Sequence, residues 1–353
     1  MRVTVFGELS QVALRVIRDL AELQTTEHIY VVSRDPRQVD VFADEISMSH
    51  KISAGPYSDD HLRTCVESCN VVVSSDLEDS VADLVDTFSP GRVYISATGS
   101  VSGVEGLLAL DSKARDQGVL VVPGTGFSPG LTNVMAAEAA SRLDEVKRLR
   151  VAWMASADAG SGPLVDRMTM ALAGNCVVFR DGQWERQANG REDEEVFFPP
   201  PIGWRKVRTV GGPETLTLPV LLDGIESVIV KGGVTEAAVD LMTRAASGMT
   251  NDRWVRLGGR LMPGLGMLSG KRQTWSAIRA DAYGTKDGKT ANVAVATLDQ
   301  MTNMIASTIL TTVLLAGELG DLRGVIPAER LVSPHRFLSQ LSERGVRAAL
   351  LKT

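Results

Sequence analysis

The stretch VLVVPGTGFSPGLTN, residues 119–133, sets Gly124, Gly126 and Gly130 among Phe127, Ser128 and Asn133 directly after an apolar, β-branched run. Glycines at such a place let the backbone take positive φ or approach another group closely. Ser128 can cap a helix whose first turn suits Pro129, and the free amides of that helix end favour an anion such as a carboxylate. A second set is Ser33-Arg34, with Arg37 one turn later: a hydroxyl and a guanidinium suit a phosphate ester. Asp35 before Pro36 reads instead as a helix N-cap. Ser74-Ser75 and Ser96-Ala97-Thr98-Gly99 supply small polar groups able to bond a sugar, with Ser96 and Thr98 candidates for the substrate side and Asp76 a cap for the next helix.

Acid–base and metal constellations are not evident. His28, His50, His61 and His335 fall in no His-Ser-Asp or metal pattern. His61, Cys65 and Cys69 have the spacing of one helix face, but a fourth ligand is missing, and the reading is buried thiols with no metal. Three cysteines make no disulfide framework. Such poverty fits hydride transfer, where a cofactor supplies the reactive atom and the protein orients the substrate. Lys231 and Lys271, each beside glycine, are weaker candidates for an anion, with a surface role the competing reading.

These residues need a frame to bring them together. Residues 1 to about 130 alternate strand and helix signals, with strands over 3–6, 29–32, 71–73, 93–95 and from 119, and helices over 11–23, 36–46, 58–68, 80–88 and 104–117. The alternation predicts a Rossmann-like, doubly wound parallel sheet that places a dinucleotide beyond the carboxyl ends of its strands. Gly7, Ser10, Gln11, Val12, Ser33, Arg34, Ser74, Ser75, Gly124, Gly126 and Phe127 then become the cofactor-binding set. The absence of an acidic residue after the second strand, with Arg34 in its place, favours NADP (NADPH) over NAD; a solvated surface charge is the other reading of Arg34. The first turn, Gly7-Glu8-Leu9-Ser10-Gln11-Val12, keeps only one glycine of Gly-x-Gly-x-x-Gly. Leu9 and Val12 stand where the pyrophosphate and the helix need room, so a Rossmann-like binding or accessory protein with an impaired dinucleotide site stays open.

Beyond Asn133 a helix over 134–143 leads to strands near 146–154, 176–180, 195–198 and 207–210, no longer alternating with helices. That predicts an α+β second domain with a mainly antiparallel sheet, and domains of 1–131 and 132–353 with the C-terminal helices free to pack back on the first. Arg180-Asp181-Gly182-Gln183 and Thr285-Lys286-Asp287-Gly288-Lys289 are hairpin signals. Residues 301–316, MTNMIASTILTTVLLA, are too short and polar for a membrane span and predict a buried helix, at a domain or subunit contact.

The Gly-x-x-Pro-Gly at 126–130, the strand at 277–284 with its Lys-Asp-Gly turn, and Gly324-Val325-Ile326-Pro327-Ala328-Glu329 resemble the saccharopine dehydrogenase (saccharopine reductase) family over nearly the whole chain, most weakly in the middle. The family often carries Asp where this chain has Ser128. The resemblance implies an NAD(P)-dependent oxidoreductase acting on the carbon–nitrogen bond of an amino acid or imine adduct. It also implies a homodimer through the second domain. The family lines its substrate cleft with a small-residue loop, which points to Arg167, after Gly162-Pro163, as a carboxylate ligand beside Ser96, Thr98, Ser128 and Asn133; a surface Arg paired with Asp166 is the alternative. The catalytic acid is left unassigned.

At 353 residues, 44% hydrophobic and 23% charged, the chain has room for two cores. A net charge of −6 argues against nucleic acid. A strand starting directly after Met1 leaves no export signal, so the expectation is a cytoplasmic enzyme with a small amino or imino acid as its partner.

Overall fold

The computed structural model describes residues 1–75, 85, 87–156, 175–235 and 275–351. They form two compact units, Met1–Gly126 with Ile305–Ser333, and Phe127–Met304 with Pro334–Thr353.

The first unit is built on β1 (Arg2–Phe6), β2 (His28–Ser33), β3 (Ile52–Pro56), β4 (Val71–Ser74), β5 (Val93–Ser96), β6 (Leu120–Val122) and β15 (Gly324–Val325). All pair in parallel, in the order β15-β6-β5-β4-β1-β2-β3. The run 3-2-1-4-5-6 is the dinucleotide-fold order, and its direction reverses between β1 and β4. The strands are apolar because both faces are covered. Helix α1 (Gln11–Glu22) shows how: Val12, Ala13, Val16, Ile17, Leu20 and Ala21 form one buried stripe. α2 (Pro36–Glu45) begins at Pro36 behind an Asp35 cap, as its sequence suggests, and α3 (Asp59–Glu67) is capped by Ser58. The single helix expected over 104–117 is two, α4 (Val101–Leu108) and α5 (Asp111–Asp116), broken at Ala109-Leu110. Asp111 pins the last strand, its Oδ1 accepting the Val325 N–H at 2.8 Å. The helix expected over 80–88 lies mostly outside the described residues.

The second unit carries a mixed, mostly antiparallel sheet. Its strands are β7 (Glu145–Ala155), β8 (Asn175–Arg180), β9 (Gln183–Ala188), β10 (Glu194–Phe198), β11 (Gly203–Thr209), β12 (Ser227–Val234), β13 (Ser276–Lys286), β14 (Lys289–Asp299) and β16 (Ala348–Leu351). The path runs β10-β11-β12-β7-β13-β14-β16, with β8 on β12 and β9 on β8. The β7–β12 pair is parallel, within a sheet that is mainly antiparallel as expected. Both expected hairpins form, with Asp181 and Gly182 (φ 50° and 74°) and Asp287 and Gly288 (50° and 70°) in the left-handed region that a two-residue turn demands. Helix α6 (Leu131–Ala140) is buried at every position and packs on β7, β13 and β14. It starts three residues earlier than the 134–143 expected, and its N-cap is Gly130, not Ser128. The Asn133 side chain closes that end by accepting the Gly130 N–H at 3.2 Å. Two further helices are the short α7 (Glu214–Thr217) and α10 (Pro334–Ser342).

Helix α8 (Met301–Glu318) contains the long apolar run. Within one copy of the chain it is buried along nearly all its length, Leu310 being 4% exposed and Leu314 half-buried. Ala328–Leu331 forms a last short helix, α9. No helix among the described residues is long and apolar enough to cross a membrane.

Candidate functional site

The carboxyl edge of the parallel sheet gathers the hydroxyls that the sequence singled out. At the reversal point, Gly7 follows β1 with φ 126°, and Ser75 donates from both its N–H and Oγ to the Phe6 carbonyl, at 2.9 and 3.1 Å. Ser10 caps α1, its Oγ accepting the Ala13 N–H at 3.2 Å. An accepting hydroxyl keeps its own proton for a ligand. Ser33 is in the same condition, accepting the Asp35 N–H at 3.1 Å, and so is Ser96 with the Thr98 N–H at 3.2 Å. Thr98 shares a hydroxyl contact of 3.3 Å with Ser100. Gln11 is exposed, whereas Val12 turns its side chain into the core, leaving only backbone to offer. Leu9 is half-buried.

Two hydroxyls on this edge, Ser74 Oγ at the end of β4 and Thr125 Oγ1 after β6, are fully buried and have no hydrogen-bond partner among the described residues. Leaving a buried hydroxyl unpaired costs about 1–3 kcal/mol, so such groups mark places where a ligand can complete the bonding. Thr125 was not singled out in the sequence, although a hydroxyl after a strand, as at Ser96, was the available signal. Gly124 and Gly126 flank it, and the Thr125 N–H is tied to the Ser96 carbonyl at 2.8 Å. At the end of β2, Arg34 and Arg37 are exposed, and Arg34 has neither ion pair nor hydrogen bond among the described residues.

In the second unit, Phe127 packs edge-on against Trp153, the ring centres 6.3 Å apart. Ser128 is half-buried, and its hydroxyl donates to Oε1 of Glu214, a wholly buried carboxyl at the start of α7. Thr132 donates to the same oxygen at 2.8 Å. Asn133 Nδ2 donates to Thr217 Oγ1 at 2.8 Å. The carboxyl fits because residue 212 is glycine: a Cβ there would come within 2.2 Å of Glu214 Oε2. Glu214 lies 86 residues from Ser128, and no sequence pattern connects them.

Lys231 is buried, its Nζ donating to the Glu192 carbonyl at 2.7 Å and pairing with Glu194 at 3.3 Å. Glu194 also meets Arg150, which with Arg279 encloses the fully buried Asp281 at 2.7 Å from each. Lys231 is therefore part of an ion network on the sheet. His61 Nε2 and Cys65 Sγ face each other at 3.6 Å, but Cys69 turns to Thr4 Oγ1 at 2.7 Å, so the three do not converge. Burial pushes the Cys69 thiol up to about 11. Arg167, Lys271 and Asp76 lie outside the described residues.

No family model matches the sequence. In three dimensions, 99% of the chain superposes on 100% of apo saccharopine dehydrogenase (L-Glu forming) from Saccharomyces cerevisiae, with TM-score 0.69 and 13% identity. More distant are an amine dehydrogenase from Mycobacterium smegmatis (94% and 95% covered, TM-score 0.47, 10% identity) and an engineered D-amino acid dehydrogenase bound to NADP+ (98% and 99%, 0.49, 13%). The chain thus has a saccharopine dehydrogenase-like fold.

Proposed function

We propose that this protein is an NADP-dependent oxidoreductase acting on the carbon–nitrogen bond of an amino acid or its imine adduct. The observation that carries it is the pair of buried hydroxyls, Ser74 and Thr125, that have no partner among the described residues, on the carboxyl edge of a parallel sheet in dinucleotide-fold order. A nicotinamide dinucleotide, when bound, supplies the hydride donor or acceptor. The residues that would hold it are Gly7, Ser10 and the amides of Gln11 and Val12 for the pyrophosphate, and Ser33 and Arg34 for the 2′-phosphate. Ser74, Ser75, Gly124, Thr125, Gly126 and Phe127 would serve the nicotinamide end. Ser96, Thr98, Ser128, Asn133 and Arg167 are the substrate candidates. A homodimer and a cytoplasmic location complete the proposal.

Leu9 and the inward Val12 favour a second reading, a dinucleotide-fold binding or accessory protein without turnover. The two separate in one assay. NADPH consumption is followed with a panel of 2-oxo acids and amines, and in reverse with amino acids and NADP+. Turnover with at least one pair supports the enzyme, and none with any pair rules in favour of the silent protein.

A further inference from the structure

The bonding around Glu214 fixes more than a loop. Among the described residues, its Oε1 meets Ser128 Oγ and Thr132 Oγ1, both hydroxyls. A carboxylate oxygen accepts, so Ser128 spends its proton on it, while Thr132 Oγ1 lies within donating distance of both this oxygen and Asn133 Oδ1, at 2.8 and 3.2 Å. Thr132 is fully buried, but Ser128 is only half-buried, and what its oxygen has left is lone pairs. We infer that Glu214 is a positioning residue that turns Ser128 Oγ into an obligate acceptor, so that this loop takes an N–H donor, the ammonium or iminium nitrogen of a substrate, rather than the substrate's carboxylate. The sequence alone suggested the opposite polarity, an anion on the helix end. The Gly130 N–H at that end is already bound by Asn133 Oδ1, which withdraws a donor that an anion would use.

The chemistry is directional. A hydroxyl with its proton free donates to a carboxylate, one left only with lone pairs repels it, and an ammonium reverses both preferences. Gly212 is part of the device, because a side chain there would displace the carboxyl from its two hydroxyls. The inference rests on the reading that the substrate carries an amine nitrogen, and its test is made independent of turnover. Isothermal titration of the full chain, with and without NADP+, compares the common L-amino acids with the corresponding 2-oxo acids, which lack the N–H donor. Wild type is expected to bind at least one amino acid at least ten-fold more tightly than its oxo acid. In Ser128→Ala and in Glu214→Leu that ratio should fall toward one, while Glu214→Gln, which retains an accepting oxygen, should restore it. A residue that only supports the fold would weaken both ligands alike and leave the ratio unchanged. Equal or tighter binding of the oxo acids, an unchanged ratio in Ser128→Ala, or no binding by either series overturns the inference. Amine preference without NADPH turnover would sink the oxidoreductase reading while leaving this one standing, and turnover without amine preference would do the reverse.

Discussion

At the scale of single residues, cofactor choice rests on Arg34. The guanidinium is exposed at the end of β2 and has no partner among the described residues to give up when a phosphate arrives. Arg34→Asp is expected to weaken NADPH by about 2–3 kcal/mol relative to NADH, through a lost charge-assisted bond and added repulsion. An equal loss for both nucleotides, in a titration of the variant, would remove Arg34 from the site. The hydroxyls at 33, 74, 75, 96 and 98 were legible because small polar side chains directly after apolar strands are conspicuous. Glu214 was not, since its role comes from a contact with Ser128 that only the folded chain creates. Ser128 itself was misread as a cap: with Asn133 bonding back to Gly130, the helix begins behind glycine.

Among elements, those that escaped the sequence share a cause. β12 contains Lys231-Gly232-Gly233, which reads as loop, yet a Cβ at Gly232 would meet the Trp153 ring at 2.4 Å and one at Gly233 the Met154 Sδ at 2.8 Å. Those glycines serve close packing inside a strand, a need invisible in one dimension. β3, ISAGP, has one strong β-former and exists because β2 offers it an edge. The β7–β13 pair holds Asp281 between Arg150 and Arg279, whose side chains are 14% and 13% exposed. Asp281→Ala should destabilise the protein by about 3–5 kcal/mol, because the nearly buried Arg279 loses its counter-charge and Arg150 keeps only Glu194. An unfolding free energy from urea titration within about 1 kcal/mol of wild type would show that solvent compensates them. β15 depends on Asp111, whose carboxyl lies below the usual range through its hydrogen bond from Arg115 and then the Val325 N–H. A lowered folded pKa means stabilisation present above the unfolded value and lost as pH falls through the folded one. Exchange of the Val325 amide should therefore gain protection less in Asp111→Asn than in wild type as pH rises through the acid range to about 4. Identical pH profiles would show that the carboxylate does not hold the strand.

For the whole molecule, the parallel sheet and the mainly antiparallel second sheet were legible, because periodicity reports layers well. The parallel β7–β12 pair was hidden, since register is a property of partners. The apolar run in α8 read first as part of a subunit contact, with internal core as the competing explanation. With Leu310 at 4% exposure in a single copy, Leu310→Arg should cost more than about 4 kcal/mol and unfold the chain. A folded Leu310→Arg monomer by sedimentation and circular dichroism would instead assign the helix to a subunit contact. The central claim, that the carboxyl edge of the first sheet is a nicotinamide dinucleotide site despite Leu9 and Val12, is tested most directly by isothermal titration of NADPH and NADH into the wild-type chain. NADPH should bind saturably at 1:1 and more tightly than NADH. Binding of neither nucleotide at millimolar concentration would contradict it.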